Sequence, residues 1–427
     1  MKELEKEKIY SQYMYSFPHK KMYENIDKNI IKNILLTVNG EISIYIHIPF
    51  CSSKCGYCNL FSVVTKENDY IDKYVLQILK EIDYIKNMIS LENLKVTSLI
   101  IGGGTPLILS IENLEKIFNK VESVFSIDLK NVDFQIETSP NETSIEKLLY
   151  LKERGLKRIS IGVQSFYQNE LKNVFRQHSV EKAKKALDNI NEIDFLVKNI
   201  DIIYGLPEQN EETLLKSLEK TVEYNFQEIF LYPLYVRENT ILGKLKIKVD
   251  EEFQYYLYKK SVDFLEKNGY KQISMRRFSK KIETTGESCG FENSISFGCG
   301  GRSYLNNIHF CEEYSSNLNE CKNIIDNYLE KEDFLQNITG FVLDESHMKI
   351  RFLIKNLGHI FGINKEEYYS LFKCNILEDF KEITYFIDRG LIIEDKYSLK
   401  LSKDGIGLSD YILYTFIPDN MKDGFNG

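Results

Sequence analysis

The chain has 427 residues, of which 43% are hydrophobic, 13% aromatic and 28% charged. That balance excludes disordered and fibrous classes, and at about 100–200 residues per domain it predicts two to four domains. Fifty-five Lys and Arg against 63 Asp and Glu leave a net charge of −8, which argues against a nucleic-acid partner.

Residues 1–40 are polar and aromatic, with MKELEKEKIY at the amino terminus and a Tyr-rich arm, YMYSFPHKKMY, at 13–23. The charged start lacks the apolar stretch of a secretory signal. No run approaches the roughly 18 apolar residues of a spanning helix. The expectation is a soluble, cytoplasmic protein with no membrane partner. A repeating pattern then begins. ISIYIHI (42–48), VTSLII (96–101), VDFQIET (132–138), RISIGV (158–163), LVKNIDIIYGL (196–206) and EIFLYPLYV (228–236) read as strands. Helical periodicity falls between them at 68–89, 111–126, 142–154, 180–193 and 211–225.

Alternation of this kind predicts an α/β fold of parallel βαβ units with right-handed crossovers. Near-continuous apolar runs suit strands buried on both faces. Six units form either an open doubly wound sheet or a partial barrel, and periodicity alone does not choose. Both put function at the carboxyl ends of the strands. The polar and glycine signals fall there: the loop after ISIYIHI, GGGTP (102–106), Glu137, Gln164, Asp201 and Tyr235. Residues 240–340 break the pattern and hold FGCGGRSY (297–304). Residues 345–417 read as a small unit of helices, two short strands about a turn and a further helix. This winged-helix-like module is expected to be a packing or lid domain.

Eight cysteines in a chain without a secretory signal do not suggest a disulfide framework. Cys289, Cys299, Cys311, Cys321 and Cys374 are scattered; Cys51, Cys55 and Cys58 form C-x3-C-x2-C on one loop. Three thiolates so close suit one metal centre. Zinc would want a fourth ligand, for which His47 is near. A four-iron cluster on three cysteines leaves one iron open, and that reading is favoured.

Those cysteines lie in YIHIPFCSSKCGYC (45–58), which resembles the cluster motif of radical S-adenosylmethionine (SAM) enzymes. More narrowly it is similar to the oxygen-independent coproporphyrinogen III oxidase-like family, which includes heme chaperones. The similarity runs through GGGTP, ETSPN (137–141), RISIGVQSF (158–166), RQH (176–178), NIDIIYGLP (199–207) and YPLYVRENT (232–240). PHK (18–20), CGYCNLFS (55–62) and GCGGRSY (298–304) resemble a less well understood subgroup. The resemblance implies a partial (βα)6 radical SAM barrel with a small C-terminal helical/winged-helix-like domain. It divides the chain into an arm (1–40), the barrel (41–240), an extension covering the active site (241–340) and the C-terminal domain (341–427).

It also implies roles. Cys51, Cys55 and Cys58 hold a [4Fe–4S] cluster. Tyr45, Gly103, Glu137 and Arg302 contact a first SAM, with Glu137 accepting the methionyl ammonium. Tyr57, Gly104, Thr105, Gln164, Arg176, Asp201 and Tyr235 match positions around a second. The reaction implied is reductive cleavage of SAM to a 5′-deoxyadenosyl radical that abstracts hydrogen from a small-molecule substrate. The candidates are oxidative decarboxylation of tetrapyrrole propionates and a two-SAM methyl or methylene transfer; the third role is that of a heme chaperone. Flavodoxin or ferredoxin is the implied electron donor. Two propionates would want paired arginines, for which Arg276, Arg277 and Arg302 are candidates. The match has departures. Coproporphyrinogen oxidases carry an extra cysteine just after the third, where this chain has Asn59 and Leu60. Where the heme-chaperone branch carries an asparagine-containing signature near Tyr270, this chain reads GYKQISMRRF, with Arg276 and Arg277 instead, and the His-Asn element that follows in that branch is missing.

Overall fold

A strand with no polar face has to be covered on both sides, and six such strands organise this molecule. A computed structural model describes residues 13–14, 16–281, 293–422 and 424. The strands are β1 (Gly40–Ile48), β2 (Leu94–Gly103), β3 (Asp133–Thr138), β4 (Arg158–Gln164), β5 (Val197–Tyr204) and β6 (Glu228–Pro233). Between them run α1 (Asn68–Lys86), α2 (Ile111–Phe125), α3 (Ile145–Glu153), α4 (Val180–Asn191) and α5 (Glu211–Glu223). All five neighbouring strand pairs are parallel, so each helix is a crossover. The sequence sets the helix starts. Ser110, Ser144 and Ser179 each accept from the backbone N–H three residues on, and Asn210 forms a capping box with Thr213. Along α2, Leu114, Ile117, Phe118, Val121 and Phe125 recur every three or four residues and are buried.

The sheet continues past these six. After helix α6 (Glu251–Lys267), β7 (Lys271–Gln272) and β8 (Arg277–Ser279) add antiparallel strands beyond β6. β9 (Asn293–Phe297) lies parallel to β1 on the other flank. β10 (Arg302–Leu305), β11 (Ile308–Cys311), β12 (Thr339–Val342) and the short strand Glu24–Asn25 follow antiparallel, making 13 strands. Helix α7 (Leu318–Leu329) packs on α1. Because β1 and β6 each take another strand on their outer edge, the barrel stays open. The fold is α/β, a partial (βα)6 barrel. Residues 240–340, which lack a repeating sequence pattern, supply strands to both of its flanks.

The C-terminal region opens with α8 (Glu345–Leu357). It carries helices Lys365–Phe372 and Glu382–Asp388 and a three-stranded antiparallel sheet of Ile363–Asn364, Ser398–Leu401 and Ile392–Glu394. Among the described residues no helix is long and apolar enough to cross a membrane.

Candidate functional site at the open end of the barrel

The carboxyl ends of the parallel strands and the loops that follow enclose a cavity of about 260 Å³. Its lining brings together Cys51, Cys55, Cys58, Tyr57, Gly103, Gly104, Thr105, Glu137, Gln164, Arg176 and Asp201. Positions 150 residues apart in sequence thus meet because consecutive strands end on one side.

The cysteine loop is pinned at its base. The short strand Phe50–Cys51 pairs with Val63–Val64, and Gly56 N donates to Val174 O at 2.8 Å. The Lys54 ammonium crosses the loop to Ser62 Oγ at 2.7 Å and Leu60 O at 3.0 Å. The end of β2 comes very close. A Cβ on Gly104 would lie 2.5 Å from Phe50 O and 3.0 Å from Cys51 Sγ, and Gly103 has a φ of +117°. Thr105 Oγ1 donates to Cys51 Sγ at 3.6 Å and Arg176 Nη1 to Cys55 Sγ at 3.1 Å. Burial and the neighbouring Cys58 push the Cys51 thiol up to about 11, and burial raises Cys58 too. Thiols so placed ionise when a metal centre supplies positive charge.

His47 does not join them. Its Nε2–H donates to Phe61 O at 3.0 Å, while Nδ1 accepts from Tyr45 Oη at 3.2 Å. With both ring nitrogens engaged, His47 is not the fourth ligand that a zinc site would want.

Two carboxylates face the same space. Glu137 Oε2 accepts from Gly103 N at 3.2 Å. Burial, then the charge of Asp201, pushes Glu137 up to about 7; its exposure to solvent within the cavity moderates that push. Burial raises Asp201 to about 6, opposed by hydrogen bonds from Asn199 Nδ2 at 2.7 Å and Ser160 Oγ at 3.5 Å. A cationic ligand would relieve both. Gln164 has a φ of +75° where the β4–β5 register shifts, so the strand end turns its amide to the cavity. Among the described residues its buried Oε1 has no hydrogen-bond partner, an acceptor waiting for a donor. Arg176 is fixed by Gly162 O and by His178 Nδ1 at 3.2 Å. The donor set therefore fits an iron–sulfur cluster beside a ligand bearing an ammonium group and hydrogen-bond donors.

Three expected residues lie off the cavity wall. Tyr45 is behind it, against His47 and close to Glu137 across Gly102. Tyr235 Oη donates to Asp410 Oδ2 at 3.0 Å. Arg302 opens β10 opposite Cys311, outside the cavity lining. Arg276 and Arg277 are not free clamps: they form buried ion pairs with Asp410 and Glu228. Cys299, Cys311 and Cys321 are buried, and Cys289 lies outside the described residues. The sequence reading missed Lys54, Ser160 and Tyr232, which also line the cavity. Ser160 and Tyr232 sit in motifs already singled out and needed only the strand register to be found.

Residues 45–221 match the model of the radical SAM superfamily. A heme chaperone, HemW, of Buchnera aphidicola subsp. Schizaphis graminum is 31% identical over 278 residues, spanning 63% of this chain and 71% of the relative. The chain belongs to the radical SAM superfamily, in the coproporphyrinogen III oxidase-like family. HemW of Lactococcus lactis subsp. lactis is 27% identical over 89% of this chain and 98% of its own length. The solved coproporphyrinogen III oxidase HemN of Escherichia coli, a radical SAM enzyme, shares the fold with a TM-score of 0.82. It is 21% identical and the match covers 95% of this chain and 96% of that one. The family implies a [4Fe–4S] cluster and SAM.

Proposed function

We propose that Cys51, Cys55 and Cys58 hold the cluster with one iron left for SAM, and that the protein is an enzyme acting on an organic small molecule. The observation carrying this reading is that the three thiols share one cavity with Glu137, Asp201 and the unpartnered Gln164 Oε1. When bound, cluster and SAM supply reductive cleavage to a 5′-deoxyadenosyl radical that takes hydrogen from a substrate carbon. The protein's own part is placement. Glu137 accepts the methionyl ammonium, Gly103 lets backbone approach it, and Tyr45 braces Glu137 from behind. Tyr57, Gly104, Thr105, Gln164, Arg176 and Asp201 form the wall where a second SAM would sit. Tyr235 and Arg302 leave the SAM set. Residues 241–340 act as barrel extension and cover, and 341–427 as a lid.

The second reading is a heme carrier on the same scaffold, favoured by the names of the relatives. One experiment separates them. The protein is reconstituted anaerobically with iron and sulfide and reduced with SAM, with and without coproporphyrinogen III. 5′-Deoxyadenosine and S-adenosylhomocysteine are then quantified. Deoxyadenosine is expected. If it rises with coproporphyrinogen and carbon dioxide release, the reaction is oxidative decarboxylation. S-Adenosylhomocysteine beside it indicates methyl transfer. Neither product from a fully loaded cluster overturns the enzyme reading, and heme titration then tests the carrier.

A further inference from the structure

Lys54 stands inside the cysteine motif, next to Cys55, and lines the cavity with all three thiols. A lysine on a loop ordinarily leaves its ammonium in water. Here the side chain folds back across the loop. Its Nζ donates to Ser62 Oγ at 2.7 Å, to Leu60 O at 3.0 Å and to Ser62 O at 3.2 Å. An ammonium has three N–H donors, and three oxygens of the loop receive them. The segment that holds the charge is itself fixed. Cys58 N donates to Cys55 O at 3.2 Å, and Val63 N donates to Pro49 O at 2.7 Å.

All three acceptors are uncharged. Among the described residues no Asp or Glu lies within ion-pair distance of Lys54. Bracing alone does not call for a cation, since a neutral donor would serve the same oxygens. What the ammonium adds is a fixed positive charge beside thiols that carry negative charge when they hold a cluster. Arg176 reaches Cys55 Sγ directly, at 3.1 Å. Lys54 has no hydrogen bond to sulfur among the described residues, so it acts through its charge and through the loop it holds. Burial raises the Cys58 thiol, and Lys54 is the first neighbouring charge to oppose that rise. A cluster that takes up one electron becomes more negative by one unit, and a nearby cation stabilises the reduced state more than the oxidised one.

We propose that Lys54 is a positioning residue that raises the reduction potential of the cluster, its held ammonium favouring the reduced state. This rests on the reading above in which Cys51, Cys55 and Cys58 hold the iron. The test uses the full-length protein, reconstituted anaerobically with iron and sulfide and without SAM. Dithionite supplies the single electron, and the signal of the reduced cluster is followed by electron paramagnetic resonance against potential. Lys54→Gln keeps a donor for the loop and removes the charge. It should move the one-electron equilibrium about tenfold toward the oxidised state, a fall of about 59 mV. Lys54→Arg should stay near the wild type. The potential belongs to the clusters present, so it is read even where a variant loads less iron. A wild-type potential in Lys54→Gln overturns the proposal and leaves Lys54 a brace. An equal fall in Lys54→Arg also overturns it, because geometry and not charge then sets the potential. Should Lys54→Gln take up no iron, Leu60→Glu decides. Leu60 is exposed and offers Lys54 only its carbonyl, so a carboxylate there offsets the ammonium without removing its bonds. A lower potential than in Leu60→Gln supports the proposal, and an equal one overturns it. Wild-type protein that takes up no iron sinks the cluster reading itself, which the iron assay shows before any titration.

Discussion

Glu137 and Asp201 repel each other in a cavity where burial already disfavours charge. With Glu137 pushed up to about 7, part of it is protonated near neutrality, and a cationic ligand pairs only with the ionised form. SAM affinity should therefore fall as pH drops below about 7, by at most about tenfold per pH unit. Glu137→Gln should cost about 1.5–3 kcal/mol of SAM binding. It should also flatten the slope near neutrality, leaving the titration of Asp201 at lower pH. Anaerobic calorimetry across pH 6–8 checks both, and a slope that survives the substitution would assign it elsewhere. Gln164→Ala removes an acceptor that has no partner among the described residues, so apo stability should change little while ligand affinity drops by about 1 kcal/mol. Glu137 and Gln164 were legible in the sequence because each falls at the end of an apolar run; Asp201 lies inside β5 and was reached through the family motif around it. Arg276 and Arg277 were not. Their carboxylates lie 134 and 49 positions away, and only the folded chain turns two apparent substrate clamps into structural pairs.

At the scale of elements, strand β2 and the cysteine loop are built as one piece. Gly104 N donates to Ile48 O and Thr105 N to Phe50 O, both at 2.8 Å, so the strand end backs the loop that carries Cys51. Gly104→Ala would drive a methyl into Phe50 O, which backbone cannot yield cheaply. We expect about 1–3 kcal/mol of destabilisation and fewer irons per chain after reconstitution, measured by iron and sulfide assay. A normal iron load would mean that the loop adjusts independently of β2. The elements themselves divide by legibility. The six parallel strands were readable because burial on both faces writes itself as a continuous apolar run. The strands from β7 to β12 were not. They span two to five residues each, and their pairing is decided by distant partners such as β1 and β6 rather than by local pattern. His47, near enough to Cys51 to be weighed as a zinc ligand, needed the fold to be placed: the strand pleat sets it against Phe61 and Tyr45 instead.

Across the whole molecule, one buried carboxylate ties three regions together. Asp410, 2% exposed, accepts from Arg276 beside β8, from Tyr235 after β6 at 3.0 Å and from the arm at Met14 N at 3.1 Å. Arg276 also lies 4.0 Å over the Tyr13 ring, so the guanidinium holds the arm and the C-terminal region at once. Asp410→Ala leaves Arg276, 6% exposed, as a buried charge without its partner, which costs about 3–5 kcal/mol. The loss should not be uniform. Residues 13–20 depend on Asp410 at one end and on Tyr314 at the other, so amide exchange should accelerate first in the arm and in the helix Ser409–Tyr414. The barrel strands β2–β5, which owe nothing to this contact, should keep their protection. Asp410→Asn, which keeps one acceptor oxygen, for Met14 N or for Tyr235 Oη but not both, and loses the charge, should fall between. If exchange in the arm is unchanged in Asp410→Ala, the arm is held by its other contacts and the carboxylate serves the C-terminal region alone.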